Sequence, residues 1–129
     1  NLKVAPASTE IIPEENVLIE TIIDSIRDIK GKRIVLLDVR HLHEAPTDYF
    51  IICEGESSTQ VRAIADHISV RVKKELDTAP NHKEGIQEAR WILVDYFDLV
   101  VHVFYPEARA YYDLEDFWSD ANIYNYEEQ

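Results

Sequence analysis

Glycine, cysteine and long apolar runs are all scarce in this chain. Its three glycines, Gly31, Gly55 and Gly85, lie far apart, and the sequence after Gly55 lacks the lysine of a phosphate-binding loop. The single cysteine, Cys53, excludes an intrachain disulfide, and its apolar neighbours predict a buried, unreactive thiol. No apolar run approaches membrane-spanning length, and no secretory signal opens the sequence. We therefore expect no membrane partner and a reducing compartment, by default the cytoplasm.

Basic residues are also few. Lysine and arginine number 13 against 25 aspartates and glutamates, which gives a net charge of −12. This balance argues against direct nucleic-acid binding as the main activity, because phosphate contacts need positive charge. A basic protein partner fits better, although acidity alone also serves solubility. Methionine is absent, so we expect that the natural start of the protein precedes Asn1.

The chain is long enough for one domain with a true core. The predicted order is helix, strand, strand, helix, strand, strand, helix, which indicates an α/β (α+β) fold with a mixed β-sheet flanked by helices. The segments that carry this prediction are a helix over 16–30, buried strands over 33–39 and 49–54, a helix from Ser57, a hairpin over 90–104 and helical pieces over 107–118.

Local signals set the expected ends of these elements. Gly31 is placed to end the first helix in a left-handed cap. The run Ser57-Ser58-Thr59-Gln60 predicts the start of the second helix, where a serine side chain caps free amides and Gln60 can reach back. Residues 78–89 are expected to form a polar connection. We expect residues 1–15 to be an N-terminal tail, 16–121 the domain and 122–129 a loose C-terminal tail. The side chains expected to pack on the sheet from the last helical segment are Tyr112, Leu114, Phe117 and Trp118.

The hairpin has two chemically different faces. With a turn at Tyr96-Phe97 and Asp95 paired with Asp98, alternation places only aliphatic side chains on one face, which should lie on the core. These are Ile92, Val94, Leu99, Val101 and Val103. The other face carries Trp91, Leu93, Asp95, Asp98, Val100, His102 and Phe104. Two carboxylates opposite each other oppose strand pairing.

Two interpretations of the second face stay open. An aromatic side chain beside acidic residues suits a docking surface for a basic partner, since buried tryptophan dominates many interfaces and complementary charge orients them. Alternatively, a helix of the same domain covers this face.

Catalytic signals are weak. His41, His43 and Glu44 offer metal-ligating atoms but sit beside a predicted loop without a supporting thiolate. Carboxylates at strand ends, Asp38, Asp48, Asp95 and Asp98, could hold Mg²⁺ for phosphoryl transfer. The alternative to a binding protein is therefore a metal-dependent nucleotidyltransferase-like enzyme. Without a phosphate-gripping motif, we favour a noncatalytic protein with no cofactor and no metal.

Several blocks, taken together and in order, resemble one protein family. They are Leu37-Asp38-Val39-Arg40, Asp48-Tyr49-Phe50-Ile51-Ile52-Cys53, Gln60-Val61-Arg62-Ala63-Ile64-Ala65-Asp66, Trp91-Ile92-Leu93-Val94-Asp95-Tyr96 with Asp98, Val101-His102-Val103-Phe104, and Tyr112-Asp113-Leu114-Glu115 with Trp118. Over about 16–121 the chain is similar to the ribosomal silencing factor family, also called Iojap-like or RsfS.

The resemblance implies a nucleotidyltransferase-like fold without the catalytic motif. It also implies a translational repressor that binds the large ribosomal subunit through its universal protein number fourteen and blocks joining of the small subunit. The partner-binding residues expected on this basis are Trp91, Leu93, Asp95, Tyr96, Asp98, Val100 and His102. A homodimer stays open.

Two residues depart from the family pattern. Phe97 and Ala89 stand where members commonly have glycine. We therefore expect a wider turn at Phe97 and an altered approach to the strand at Ala89.

Overall fold

A seven-stranded mixed sheet forms the centre of the computed structural model, which describes residues 2–4 and 13–126. Its elements are β1 (Leu2–Val4), α1 (Pro13–Asp28), β2 (Lys32–Asp38), β3 (Tyr49–Glu54), α2 (Ser58–Leu76), β4 (His82–Glu84), β5 (Trp91–Asp95), β6 (Leu99–Phe104), α3 (Pro106–Tyr112), α4 (Leu114–Phe117) and β7 (Asn122–Tyr126). The strand order is β1-β7-β2-β3-β6-β5-β4. Two neighbouring pairs, β1 with β7 and β3 with β6, are parallel, and the others are antiparallel.

Helices cover both faces of the sheet, as predicted. The isoleucines of α1 and the apolar stripe of α2 form one core cluster with alternate side chains of the central strands. The other set of alternate side chains forms a second cluster with Ala108 of α3 and with Leu114 and Trp118 around α4. Because β2, β3 and β6 contribute to both clusters, they are buried almost throughout.

The first helix ends two residues earlier than predicted, at Asp28 rather than Lys30, and its left-handed residue lies one position earlier. Lys30, not Gly31, takes the left-handed conformation, with φ 65°, and the Gly31 N–H donates to the Ile26 carbonyl at 2.9 Å. This is a Schellman end, with Lys30 at the left-handed position. Gly31 is needed for a different reason, since a Cβ atom there would collide with the Ile26 side chain.

The predicted start of α2 is confirmed. The Ser57 side chain accepts from the Gln60 N–H at 3.0 Å, and the Gln60 amide oxygen accepts from the Glu56 N–H at 2.7 Å. The amide nitrogen of Gln60 also donates to the carbonyls of Ile29 and Lys30. One side chain therefore joins the start of α2 to the end of α1.

Three strands lie in segments where the sequence pattern predicts none. The polar connection contains β4, which pairs with β5 at a sheet edge. The C-terminal stretch expected to be loose forms β7, which pairs with β2 on one side and β1 on the other, and its residues Ile123 and Tyr124 are buried. The expected N-terminal tail contributes β1; residues 1, 5–12 and 127–129 of the two tails lie outside the described residues.

None of the helices in the described ranges is both long and apolar enough to cross a membrane.

Candidate functional site

The β5–β6 hairpin has a different register from the predicted one. Asp95 pairs with Val100, not with Asp98, and the Tyr96 N–H donates to the Leu99 carbonyl at 2.8 Å. The two-residue turn is therefore Phe97-Asp98 rather than Tyr96-Phe97. A shift of two residues keeps each side chain on its predicted face, since the side-chain period is two.

The wholly aliphatic face of the hairpin lies in the core, as predicted. Its five members, Ile92, Val94, Leu99, Val101 and Val103, are buried in the cluster with α1 and α2. Tyr96 belongs to this same cluster and is only 7% exposed. The structure thus places Tyr96 on the opposite side of the sheet from the other predicted partner-binding residues of β5 and β6.

The opposite face of the hairpin, here called the Trp91 face, carries Trp91, Leu93, Val100, His102 and Phe104. Trp91 is half-buried, and its ring stacks on buried Phe104 at a centroid distance of 5.1 Å. The Tyr112 ring, at the end of α3, lies 4.5 Å from it. Together with His102, Phe104 and Tyr112 hold the indole in place.

His102 is linked directly to Trp91. The Trp91 Nε1–H donates to His102 Nδ1 at 2.9 Å, and His102 is only 5% exposed. Burial lowers the pKa of His102 to about 4, so the ring is neutral near pH 7 and carries its proton on Nε2. Nε2 has no partner among the described residues. The buried His102 ring therefore orients the Trp91 indole through this hydrogen bond.

The two acidic residues of the hairpin, Asp95 and Asp98, differ in burial and in their hydrogen bonds. Asp95 is half-buried, and its Oδ1 accepts from the Phe97 N–H at 2.7 Å, which fixes the turn. Asp98 is exposed, and its carbonyl accepts from the Asp48 and Tyr49 N–H groups. The expected opposition of the two carboxylates across the ladder is wrong, but both remain at the turn end of the Trp91 face.

Both departures from the family pattern fall at left-handed backbone positions. Phe97 has φ 71° and Ala89 has φ 57°, a region that glycine enters without steric cost. The expected wider turn at Phe97 is wrong: the tight turn is kept, with backbone strain of about 1 kcal/mol. The Phe97 ring is 67% exposed, and its carbonyl accepts from Thr47 Oγ1 at 2.8 Å.

Helix packing covers part of the Trp91 face. Val100, His102 and Phe104 are buried, while Trp91, Leu93 and Asp95 are half-exposed. Packing within the domain therefore covers β6, as the second interpretation expects, and leaves alternate side chains of β5 half-exposed. The expectation that Phe117 packs on the sheet is wrong, because its ring is 72% exposed. Trp118 does pack there, 5.5 Å from the Phe50 ring.

Sequence reasoning did not assign Phe50 to this site. Its ring lies 5.4 Å from His102 and 5.5 Å from Trp118, which joins the two tryptophan regions. The parallel pairing of β3 with β6 brings it there. This pairing joins distant segments, so local sequence pattern gives no sign of it.

Three of the residues considered for catalysis are buried or bonded within the fold. Asp38 is buried and forms a bidentate pair with Arg40, at 3.0 and 2.7 Å. His41 Nε2 bonds the Asp120 carbonyl at 3.0 Å. Cys53 is fully buried, and burial raises the pKa of its thiol to about 12, as expected for an inert cysteine. The described residues contain no group of three or more histidines, cysteines or acids that could hold a metal ion.

Comparison with known proteins gives a consistent result. The family model described as "Ribosomal silencing factor during starvation" matches residues 12–129. A protein named ribosomal silencing factor RsfS from Halalkalibacterium halodurans is 38% identical over 104 residues, which cover 81% of this chain and 87% of that protein. The protein of the same name from Bacillus subtilis is 43% identical, over 74% of this chain and 80% of its own length.

A plant protein and a solved bacterial structure are also similar to this chain. The chloroplastic protein Iojap of Zea mays is 36% identical over 73% of this chain and 40% of its own length. A crystal structure of a Chromobacterium violaceum protein superposes with a TM-score of 0.76 at 36% identity, covering 81% of this chain and 85% of that one.

Proposed function

Because this chain belongs to the ribosomal silencing factor family, we propose that it binds the large ribosomal subunit through its universal protein number fourteen and sterically blocks joining of the small subunit. Translation is repressed because the covered surface is the one at which the subunits meet. The factor acts by occupancy, so it needs neither a catalytic residue nor a cofactor. We keep the cytoplasm as the proposed compartment; some similar plant proteins are named as chloroplastic or mitochondrial.

The observation that carries this proposal is the preorganised indole of Trp91. A large aromatic side chain that is half-exposed, yet held by a hydrogen bond to His102 and by ring contacts to Phe104 and Tyr112, loses little conformational entropy when a partner covers it. Such side chains are enriched among the residues that dominate binding energy.

The proposed contact set is smaller than the one predicted from the sequence. Trp91 and Leu93 supply apolar contact, and the carboxylates of Asp95 and Asp98 meet lysine or arginine of the partner. Val100 and His102 are buried beneath them and support the contact from within. Tyr96 lies on the opposite face and is left out of the set.

The acidic turn suits a basic ribosomal protein for a second reason. The whole chain carries a net charge of −12, so phosphate groups of ribosomal RNA are repelled while basic protein surfaces are attracted. Complementary charge raises the association rate more than the final affinity.

Trp91→Ala tests this proposal. We expect binding to purified large subunits to weaken by about 2 kcal/mol, or about 30-fold, because the indole is the main apolar contact. Cosedimentation with large subunits measures it. Trp91→Phe keeps an aromatic ring and should lose less, and Tyr111→Ala, an exposed tyrosine of α3, should bind like the unaltered protein. If folded Trp91→Ala binds large subunits as tightly as the unaltered protein, the proposed contact is wrong.

A further inference from the structure

A cleft lies between two loops on the side of the sheet that carries the Trp91 face. It encloses about 340 Å³ and is lined by Leu42, Glu44, Phe117, Trp118 and Asp120. One wall comes from the loop between β2 and β3, the other from the end of α4 and the turn into β7. The bond from His41 Nε2 to the Asp120 carbonyl, at 3.0 Å, ties the two loops together. The cleft is thus formed by the fold rather than by one mobile side chain.

Two aromatic rings meet at right angles in this cleft. The Phe117 and Trp118 rings are 88° apart, with centroids 5.1 Å from each other. Trp118 is held against buried Phe50, whereas Phe117 is 72% exposed. An exposed phenyl ring beside a second aromatic wall contributes little to the core and presents a π-face to solvent. Such a face attracts cations as well as apolar groups.

The charge of the cleft is wholly negative. Glu44 and Asp120 line it together with the two rings, and no lysine or arginine does. Within residues 17–126, neither of these carboxylates has a hydrogen-bond or ion-pair partner. Aromatic walls and unpaired carboxylates together favour a guanidinium group, which is planar, stacks on rings and donates to carboxylates in pairs.

We infer that this cleft binds an arginine side chain of the basic protein partner that also covers Trp91; this rests on the proposed function. Carboxylates at the opening repel nucleic-acid phosphates, and a second copy of this chain brings a further charge of −12. A basic protein segment is the occupant that both facts favour.

The cleft also lies on the same side of the sheet as the Trp91 face, because Leu42 and Trp118 pack on the same core cluster as Trp91 and Leu93. Phe50 contacts the Trp118 ring on one side and the His102 ring on the other, at 5.5 and 5.4 Å. His102 in turn holds the indole of Trp91. One partner surface can therefore cover Trp91 and place an arginine in the cleft.

A peptide titration tests the cleft independently of the ribosome. We expect N-acetyl-Gly-Arg-Gly-amide to shift the Phe117 amide and Trp118 indole NMR signals, with a dissociation constant in the millimolar range. The same peptide with citrulline, the neutral isostere of arginine, should shift them several-fold less. Equal shifts from the two peptides, or no shift at the cleft with the arginine peptide, would overturn the inference.

Exposed positions allow matched variants that keep the fold. Phe117→Ala should abolish the peptide-induced shifts, Phe117→Tyr should retain them, and Glu44→Gln with Asp120→Asn should weaken them. Tyr111→Ala removes an aromatic ring that is 81% exposed but does not line the cleft, and it should change nothing. If Phe117→Ala binds the peptide like the unaltered protein, the cleft is not the site.

Binding of the variants to purified large subunits then tests whether the cleft contacts the ribosomal partner. Phe117→Ala should weaken subunit binding about fivefold, and Tyr111→Ala should not. Peptide binding at the cleft without any effect of Phe117→Ala on subunit binding would overturn the assignment to this partner. A dimer that Phe117→Ala converts to monomer in sedimentation velocity would show that a second copy is the occupant. If the unaltered protein fails to bind subunits, the proposed function fails, and the peptide result still decides the cleft.

Discussion

At the scale of single residues, the pairing of Trp91 with His102 changes the role that the sequence suggests. The sequence predicts both side chains on one face and assigns His102 to the margin of a contact surface. In the folded protein His102 is buried and accepts from the Trp91 indole N–H. Strand alternation predicts which face a side chain takes, but not how far neighbouring helices cover it. The aromatic side chain was therefore predictable and the positioning role was not.

Substitutions of His102 test this positioning role. Asparagine places its Oδ1 near the position of Nδ1, so His102→Asn should keep the acceptor for Trp91. His102→Leu keeps the bulk and removes it. We expect the Trp91 indole N–H of His102→Leu to exchange with solvent several-fold faster, and large-subunit binding to weaken by about 1 kcal/mol. Equal indole exchange and equal binding in the two variants would contradict this.

The buried histidine also predicts how stability depends on pH. Burial lowers the pKa of His102 from its ordinary value to about 4. Between about pH 6.5 and pH 4 the unfolded chain therefore binds a proton that the folded protein does not, and stability falls as the pH falls.

The expected loss is about 3 kcal/mol across this window, and His102→Asn should not show it. Urea unfolding of both proteins at pH 7 and pH 4 measures the difference, because carboxylate contributions shared by the two cancel. If the two stability curves run parallel with pH, then His102 does not stay neutral in the folded protein.

At the scale of elements, the sequence predicted local structure better than distant pairing. Both long helices, the two central strands and the hairpin were predicted because each carries its own periodicity or cap. The error of two residues in the hairpin register left the faces unchanged. By contrast, β4 and β7 are short and form only through pairing with β5, β2 and β1. Sequence pattern does not reveal such partners, so it predicts a connection and a tail for these segments.

The end of α1 offers a test at this scale, because neighbouring residues there should respond with opposite signs. Lys30 has φ 65°, so Lys30→Gly should stabilise the protein by about 0.5–1 kcal/mol. Gly31→Ala should destabilise it by about 1–3 kcal/mol, since the new methyl group would collide with the Ile26 side chain. Denaturant unfolding gives both values. A stabilising Gly31→Ala would show that this junction is packed more loosely than described.

At the scale of the whole molecule, the two faces of the sheet differ. One packs against the long helices, and the other carries the proposed contact residues. Helices α1 and α2 bury the central strands on one face, while α3 and α4 cover the other face only in part. The second face therefore retains half-exposed β5 and the cleft lined by Phe117 and Trp118. Asp95 lies in β5, and Glu44 and Asp120 line the cleft. Composition indicated the charge and the resemblance indicated the family, but only the packing of the short helices decides which residues a partner reaches.

A subunit-joining experiment distinguishes occlusion, the proposed mechanism of this protein, from an enzymatic mechanism. Light scattering of separated subunits, mixed with increasing amounts of the protein, reports the fraction that joins. We expect joining to stop when one protein is present per large subunit, without a nucleotide, and Trp91→Ala, which should bind about 30-fold more weakly, to require an excess of protein. Subunits already joined should change little, because their contact surface is covered. Progressive inhibition with time at substoichiometric protein, or a requirement for a nucleoside triphosphate, would contradict occlusion and indicate an enzyme.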